Sequence, residues 1–147
     1  TTSTESGAVL SGAPEQSIQL LIAYGHNLGI AFQIIDDLLD FVGTEKQMGK
    51  PTGSDLAQGT VTLPVLLLLQ RYPQEAALKN LFLRHTDADS TQAVVDMVRN
   101  SASILKECYD IASDYCDRAL RSLQGLPVGE ARESLAELSR YVVGRKK

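Results

Sequence analysis

Apolar residues recur at three- and four-residue spacings along almost the whole chain, and no stretch of any length alternates apolar with polar. That periodicity belongs to amphipathic helices and excludes a sheet protein, so the expected fold class is all-α. A first long helix is predicted from about Pro14 to Phe41. Ile18, Leu21, Ile22, Gly25, Leu28, Gly29 and Phe32 form its stripe, and Gly25 and Gly29, four apart, share a face that permits close packing. Gly43 ends it, and residues 43–60 read as a loop rich in Gly, Thr and Ser. A second helix starts near Thr62, with Pro64 in its first turn, and runs to Arg71. A short one follows from Pro73 to about Arg84. The stretch from His85 reads as a loop with Asp89 or Ser90 as N-cap of a helix to about Val98. A long helix spans about Ala102 to Leu123, Gly125-Leu-Pro127 breaks it, and a last one covers about Gly129 to Val143 before the basic end Arg145-Lys146-Lys147.

With 147 residues the chain is long enough for one domain with a real core. Trp is absent and Phe scarce, so that core is aliphatic. A net charge of −4 argues against nucleic acid as a partner, which calls for a basic face. The longest apolar run, Leu63–Leu69, falls well below the ~20 residues of a bilayer span, so the chain is expected to be soluble and not membrane-spanning. No leader segment is visible at the polar start. Cys108 and Cys116, eight apart on one helix, lie roughly 12 Å from each other, too far for a disulfide. They fit no zinc pattern and read as core residues of a reduced compartment. His26 and His85 have no acid or nucleophile at a useful spacing and read as surface or packing residues, and Tyr109 and Tyr115 read as ordinary helix-face residues.

One segment breaks several local rules at once. In Phe32-Gln33-Ile-Ile-Asp36-Asp37-Leu-Leu-Asp40, the three aspartates fall at three- and four-residue spacings, so their carboxylates share one helix face, with Gln33 on the same side. Like charges at that spacing repel, the C-terminal end of a helix disfavours anions, and Asp is a poor helix former. Such conflicts concentrate at functional sites. A hard divalent cation would relieve the repulsion, and Mg²⁺ in particular bridges carboxylates to substrate phosphates. The plainer reading is a solvated acidic helix end with Lys46 as an ion-pair partner. Just beyond, Lys50 stands in the Gly-rich stretch Met48-Gly49-Lys50-Pro51-Thr52-Gly53-Ser54-Asp55, where its ammonium could act on a phosphate. The order of residues is not that of a P-loop.

Taken together, Phe32-Gln33-x-x-Asp36-Asp37-x-x-Asp40, then Gly49-Lys50-x-x-Gly53-x-Asp55-Leu56, then Gly59-x-x-Thr62-Leu63-Pro64 resembles the trans-polyprenyl diphosphate synthases, the long-chain members most of all. Gly7-Ala-Val-Leu-Ser-Gly12 and the helical tail are similar too, so the resemblance extends over essentially the whole chain. It implies an isoprenoid-synthase-type helical bundle, of which residues 1–147 form the C-terminal half, as one helical domain. It also implies a reaction in which an allylic diphosphate, held by Mg²⁺, ionises and is attacked by isopentenyl diphosphate. By the same resemblance Asp36, Asp37 and Asp40 bind metal, Asp36, Asp37 and Lys50 are catalytic, and Gln33 and Lys50 contact the diphosphate substrate.

The departures are specific. The family carries two Asp-rich motifs, and this chain shows only the second, since Asp87 and Asp89 have the wrong surroundings. Thr60 stands where many members have a lysine. A half-bundle would expose inner apolar faces and is expected to seek the missing N-terminal half or a second copy. The chain alone is therefore expected to be inactive. Two alternatives are a non-catalytic subunit of a heteromeric synthase, against which the retained carboxylates speak, and half of a terpene cyclase, against which the Gly49-Lys50-x-x-Gly53 stretch speaks.

Overall fold

The computed structural model describes residues 1–43, 51–82 and 88–145. Lys46, Lys50, His85 and Asp87 lie outside the described residues. All regular structure among the described residues is helical: α1 (Thr2–Leu10), α2 (Glu15–Val42), α3 (Ser54–Ala57), α4 (Leu63–Arg71), α5 (Ala76–Phe82), α6 (Ala88–Asn100), α7 (Ala102–Leu123) and α8 (Glu130–Gly144). The all-α expectation holds, and α2, α4, α7 and α8 fall within a residue or so of their predicted limits.

Three differences have local causes. α1 was not foreseen, because its Ser- and Thr-rich sequence has modest helix propensity. It forms where Ala8 is buried and where Gly25 of α2 lets Thr1 and Thr4 approach, positions a Cβ would obstruct. Gly29, expected to serve the same purpose, has open space around it. α3 interrupts a predicted loop because Leu56, only 2% exposed, draws that turn into the core. Asp89 and Ser90, expected as caps, instead lie inside the first turn of α6.

The contacts of the chain cluster into two compact units, Thr1–Ile35 with Tyr109–Lys146, and Asp36–Cys108. No linker separates them, since α2 and α7 each contribute to both. In the first unit Tyr24, Ala119 and Leu123 form a buried cluster, and Leu28, Leu120, Leu126, Leu135 and Ala136 pack on it. The Tyr24 hydroxyl donates to the Leu135 carbonyl at 2.8 Å, so the one polar atom of the cluster's aromatic ring is satisfied.

The second unit buries Leu38 and Phe41 of α2 with Leu56, Val65, Leu68 and Leu78. Val94, Val95 and Val98 of α6 are also fully enclosed, at the spacing of one helix face. That face packs on α3, α4 and α5. Each fully buried Leu or Phe contributes about 2–3 kcal/mol, so this aliphatic interior is what holds the end of α2 in place. Arg71 ties α4 to α7 through Ser103 Oγ at 2.6 Å and Glu107 Oε2 at 2.7 Å.

α2 is also long and apolar enough, by length and composition, to cross a membrane, with a mean hydropathy of 1.4 in its most apolar stretch. Uninterrupted apolar runs, from which the contrary was expected, overlook a helix whose polar breaks are mostly Gly, Asn and Gln. Core helices of globular proteins meet the same test. Of that stretch 28% is buried.

Candidate functional site

The C-terminal end of α2 places Asp36, Asp37 and Asp40 in its last two turns. Their environments differ. Asp36 and Asp37 are half-buried, whereas Asp40 is 1% exposed. Gln33, one turn earlier on the same helix, is exposed. Among the described residues no group of three or more Asp, Glu, His or Cys side chains stands where it could hold a metal ion.

Asp40 is taken up by the chain that follows. Its Oδ1 accepts from Ser54 Oγ at 2.9 Å, its Oδ2 accepts from the Asp55 backbone N–H at 3.2 Å, and its own carbonyl accepts from the Gly53 N–H at 2.9 Å. The Asp55 N–H is one of the unpaired donors at the start of α3, so Asp40 caps that helix from fourteen and fifteen residues away. Gly53 sits at φ +72°, ψ +19°, the left-handed region that glycine adopts without strain. A Cβ there would also collide with Val95 Cγ2 of α6. Two physical reasons thus require glycine at this position of the motif.

The third motif closes the segment. The Thr60 N–H donates to the Asp55 carbonyl at 2.8 Å, and Thr60 itself is exposed. Thr62 precedes α4 in extended conformation, and its carbonyl accepts from the Val65 and Leu66 N–H groups. Its hydroxyl is buried and has no hydrogen-bond partner among the described residues. Such an atom costs free energy unless something beyond the described residues meets it.

Two cations were missed from sequence. Arg99 of α6 donates from Nε to the Phe41 carbonyl at 2.6 Å and from Nη2 to the Gly43 carbonyl at 3.4 Å. It satisfies orphan carbonyls at the end of α2 and sets a positive charge at the negative end of the helix dipole, relieving part of the electrostatic conflict read from the sequence. No local pattern announces a contact across 58 residues. Arg145, assigned to a solvated tail, lies over the Phe32 ring, 5.0 Å from its centroid, on the residue before Gln33.

Cys108 is buried, and burial, with the Glu107 and Asp37 carboxylates adding to it, pushes its thiol up to about 12. Cys116 is pushed up to about 11 by burial and by Asp117. Both are free thiols and stay protonated in the folded chain at neutral pH, in line with their reading as core residues. His26 is exposed.

Residues 1–115 match the polyprenyl synthetase family. The chain belongs to that family, among its long-chain members. It is 44% identical over 140 residues to heptaprenyl diphosphate synthase component 2 of Geobacillus stearothermophilus, covering 95% of this chain and 43% of that protein. The crystal structure of heptaprenyl diphosphate synthase from Staphylococcus aureus superposes with a TM-score of 0.89 at 36% identity, over 99% of this chain and 45% of that one. A polyprenyl synthase from Caulobacter crescentus, solved with calcium and isoprenyl diphosphate, gives a TM-score of 0.86 at 34% identity, over 97% of this chain and 44% of the other. The chain thus spans less than half the length of these relatives.

Proposed function

We propose that this chain is the portion of a trans-polyprenyl diphosphate synthase that carries the second acidic motif, and that it works with an N-terminal half bearing the first. The observation that supports this most directly is the pair Asp36 and Asp37, half-buried carboxylates kept at an unfavourable helix end in a chain of this family. Their oxygens are the hard donors Mg²⁺ prefers. When bound, Mg²⁺ supplies Lewis-acid stabilisation of the negative charge that grows on a departing diphosphate.

The chain's own residues then have distinct tasks. Asp36 and Asp37 would hold the metal, Asp36 first among them. Gln33 hydrogen-bonds the allylic diphosphate, and Lys50 supplies a positive charge to the same group. In the reaction the allylic C–O bond breaks and the electron pair leaves with the diphosphate. The double bond of isopentenyl diphosphate attacks the resulting cation, a new C–C bond forms, and a proton is lost from the added unit. Charge stabilisation aimed at the leaving group is the principal means of lowering such a barrier.

One acidic pair cannot clamp a diphosphate from both sides, so the 147-residue chain by itself is inactive in this reading. The Geobacillus relative is named as a component, and an assembly with a second polypeptide, or with a second copy, is proposed here too. The alternative of a non-catalytic subunit predicts that Asp36 is dispensable.

The test is Mg²⁺-dependent incorporation of labelled isopentenyl diphosphate onto farnesyl diphosphate, with native mass spectrometry of the assembly. The expected result is no elongation by the chain alone and turnover once the N-terminal half is supplied. Asp36→Ala should then lower turnover by about a hundredfold or more. Elongation by the isolated chain, or full activity of Asp36→Ala in the assembly, would overturn the proposal.

A further inference from the structure

We infer that Asp40 is a positioning residue and not a metal ligand: its buried carboxylate anchors the return of the chain into α3, leaving Asp36 and Asp37 as the half-buried acidic pair. The inference rests on the proposed metal role of those two residues for its functional meaning, but its geometry stands independently.

Three observations carry it. Asp40 is 1% exposed, while Asp36 and Asp37 retain access to solvent. Both Asp40 oxygens accept hydrogen bonds, one from a hydroxyl and one from a backbone N–H, and such charge-assisted bonds are about twice as strong as neutral ones. The backbone of the same residue accepts from Gly53, so residues 53, 54 and 55 are all held by a single residue of α2. Gly53 adopts a left-handed backbone against Val95 that a Cβ would obstruct, and the anchored turn begins three residues after Lys50. The three-aspartate cluster that looked so costly is therefore two groups with two functions. The third charge is compensated inside the fold by donors from a segment fourteen residues further on.

This assignment makes a distinction that a ligand role reverses. An asparagine at position 40 keeps one carbonyl to accept from the Asp55 N–H, and its NH₂ can donate to Ser54 Oγ, which accepts as readily as it donates. Asparagine is a far poorer ligand for a hard cation than a carboxylate.

The experiment follows amide hydrogen exchange by NMR in the full 147-residue chain, together with line broadening on addition of Mn²⁺ alone. Asp40→Asn should leave exchange at the Asp55 amide within about threefold of wild type and leave Mn²⁺ broadening around residues 36 and 37 unchanged. Asp40→Ala should speed Asp55 exchange about tenfold, the factor corresponding to a lost hydrogen bond. Ser54→Ala, which removes one donor without emptying a buried site, serves where Asp40→Ala folds poorly; it should speed the same exchange by a smaller factor. Asp36→Asn should abolish the broadening and leave Asp55 exchange unaltered. Loss of broadening in Asp40→Asn to the extent seen in Asp36→Asn would overturn the inference, as would unchanged Asp55 exchange in both anchor-breaking variants. If the wild type itself shows no broadening near residues 36 and 37, the metal reading of that pair fails, and the exchange measurements alone decide the anchoring role.

Discussion

Gly53 and Thr62 show how much a single position of a motif can owe to packing. At Gly53 an alanine meets two penalties, a left-handed backbone and the Val95 methyl. Gly53→Ala is expected to destabilise the chain by about 1–3 kcal/mol, seen as a lower urea midpoint. Thr62 is the opposite case. Its buried hydroxyl has no partner among the described residues, so Thr62→Val should leave stability unchanged or raise it by up to about 1 kcal/mol. A loss of activity in the complete assembly at unchanged stability would then mark the hydroxyl as one that meets a bound molecule. Motif spacing identified both positions, but only the backbone angle and the neighbours tell which of them serves the fold.

At the level of the helix, the end of α2 looked untenable from sequence, with three anions at the negative pole of a dipole. The structure resolves part of that conflict with two groups from elsewhere in the chain: the donors of Ser54 and Asp55 on Asp40, and the Arg99 guanidinium on the carbonyls of Phe41 and Gly43. Arg99→Ala should cost about 1–2 kcal/mol, since it leaves terminal carbonyls unmet and removes a favourable charge, and it should show as a lower urea midpoint with an unchanged slope. Arg99→Lys should recover only part of this, because an ammonium cannot span two carbonyls as a planar guanidinium does. The limits of α2, α4, α7 and α8 were legible in the sequence because apolar periodicity and the Gly and Pro breaks agree there. α1 and α3 were not, because their residues are indifferent helix formers, and what stabilises them is contact with Gly25 and burial of Leu56.

Across the whole molecule the two cysteines link stability to pH. Both thiols are raised in the folded chain, to about 12 and about 11, above the ~8.5 of an unfolded cysteine. Below about pH 8.5 both states keep the proton and the full contribution is present. Above it the unfolded chain releases protons that the native one retains, so stability falls with rising pH until the folded values are passed, between about 11 and 12. Thermal unfolding from pH 7 to 11 should show this decline, and the double variant Cys108→Ala, Cys116→Ala should show a shallower one, though from a lower starting Tm. In the folded chain neither thiol should react with Ellman's reagent at pH 8.

The order of residues by itself determined that this chain is helical and where its longer helices lie, and it sets Gln33, Asp36, Asp37, Asp40 and Lys50 at spacings that resemble the trans-polyprenyl diphosphate synthases. These are properties of spacing, and spacing survives without coordinates. Only the tertiary structure decided that Asp40 is buried and hydrogen-bonded while Asp36 and Asp37 are half-buried, because burial and donor geometry depend on partners fourteen or more residues away. It also revealed Arg99 at the helix end and Arg145 over Phe32, contacts between residues too distant in sequence for any local pattern to announce.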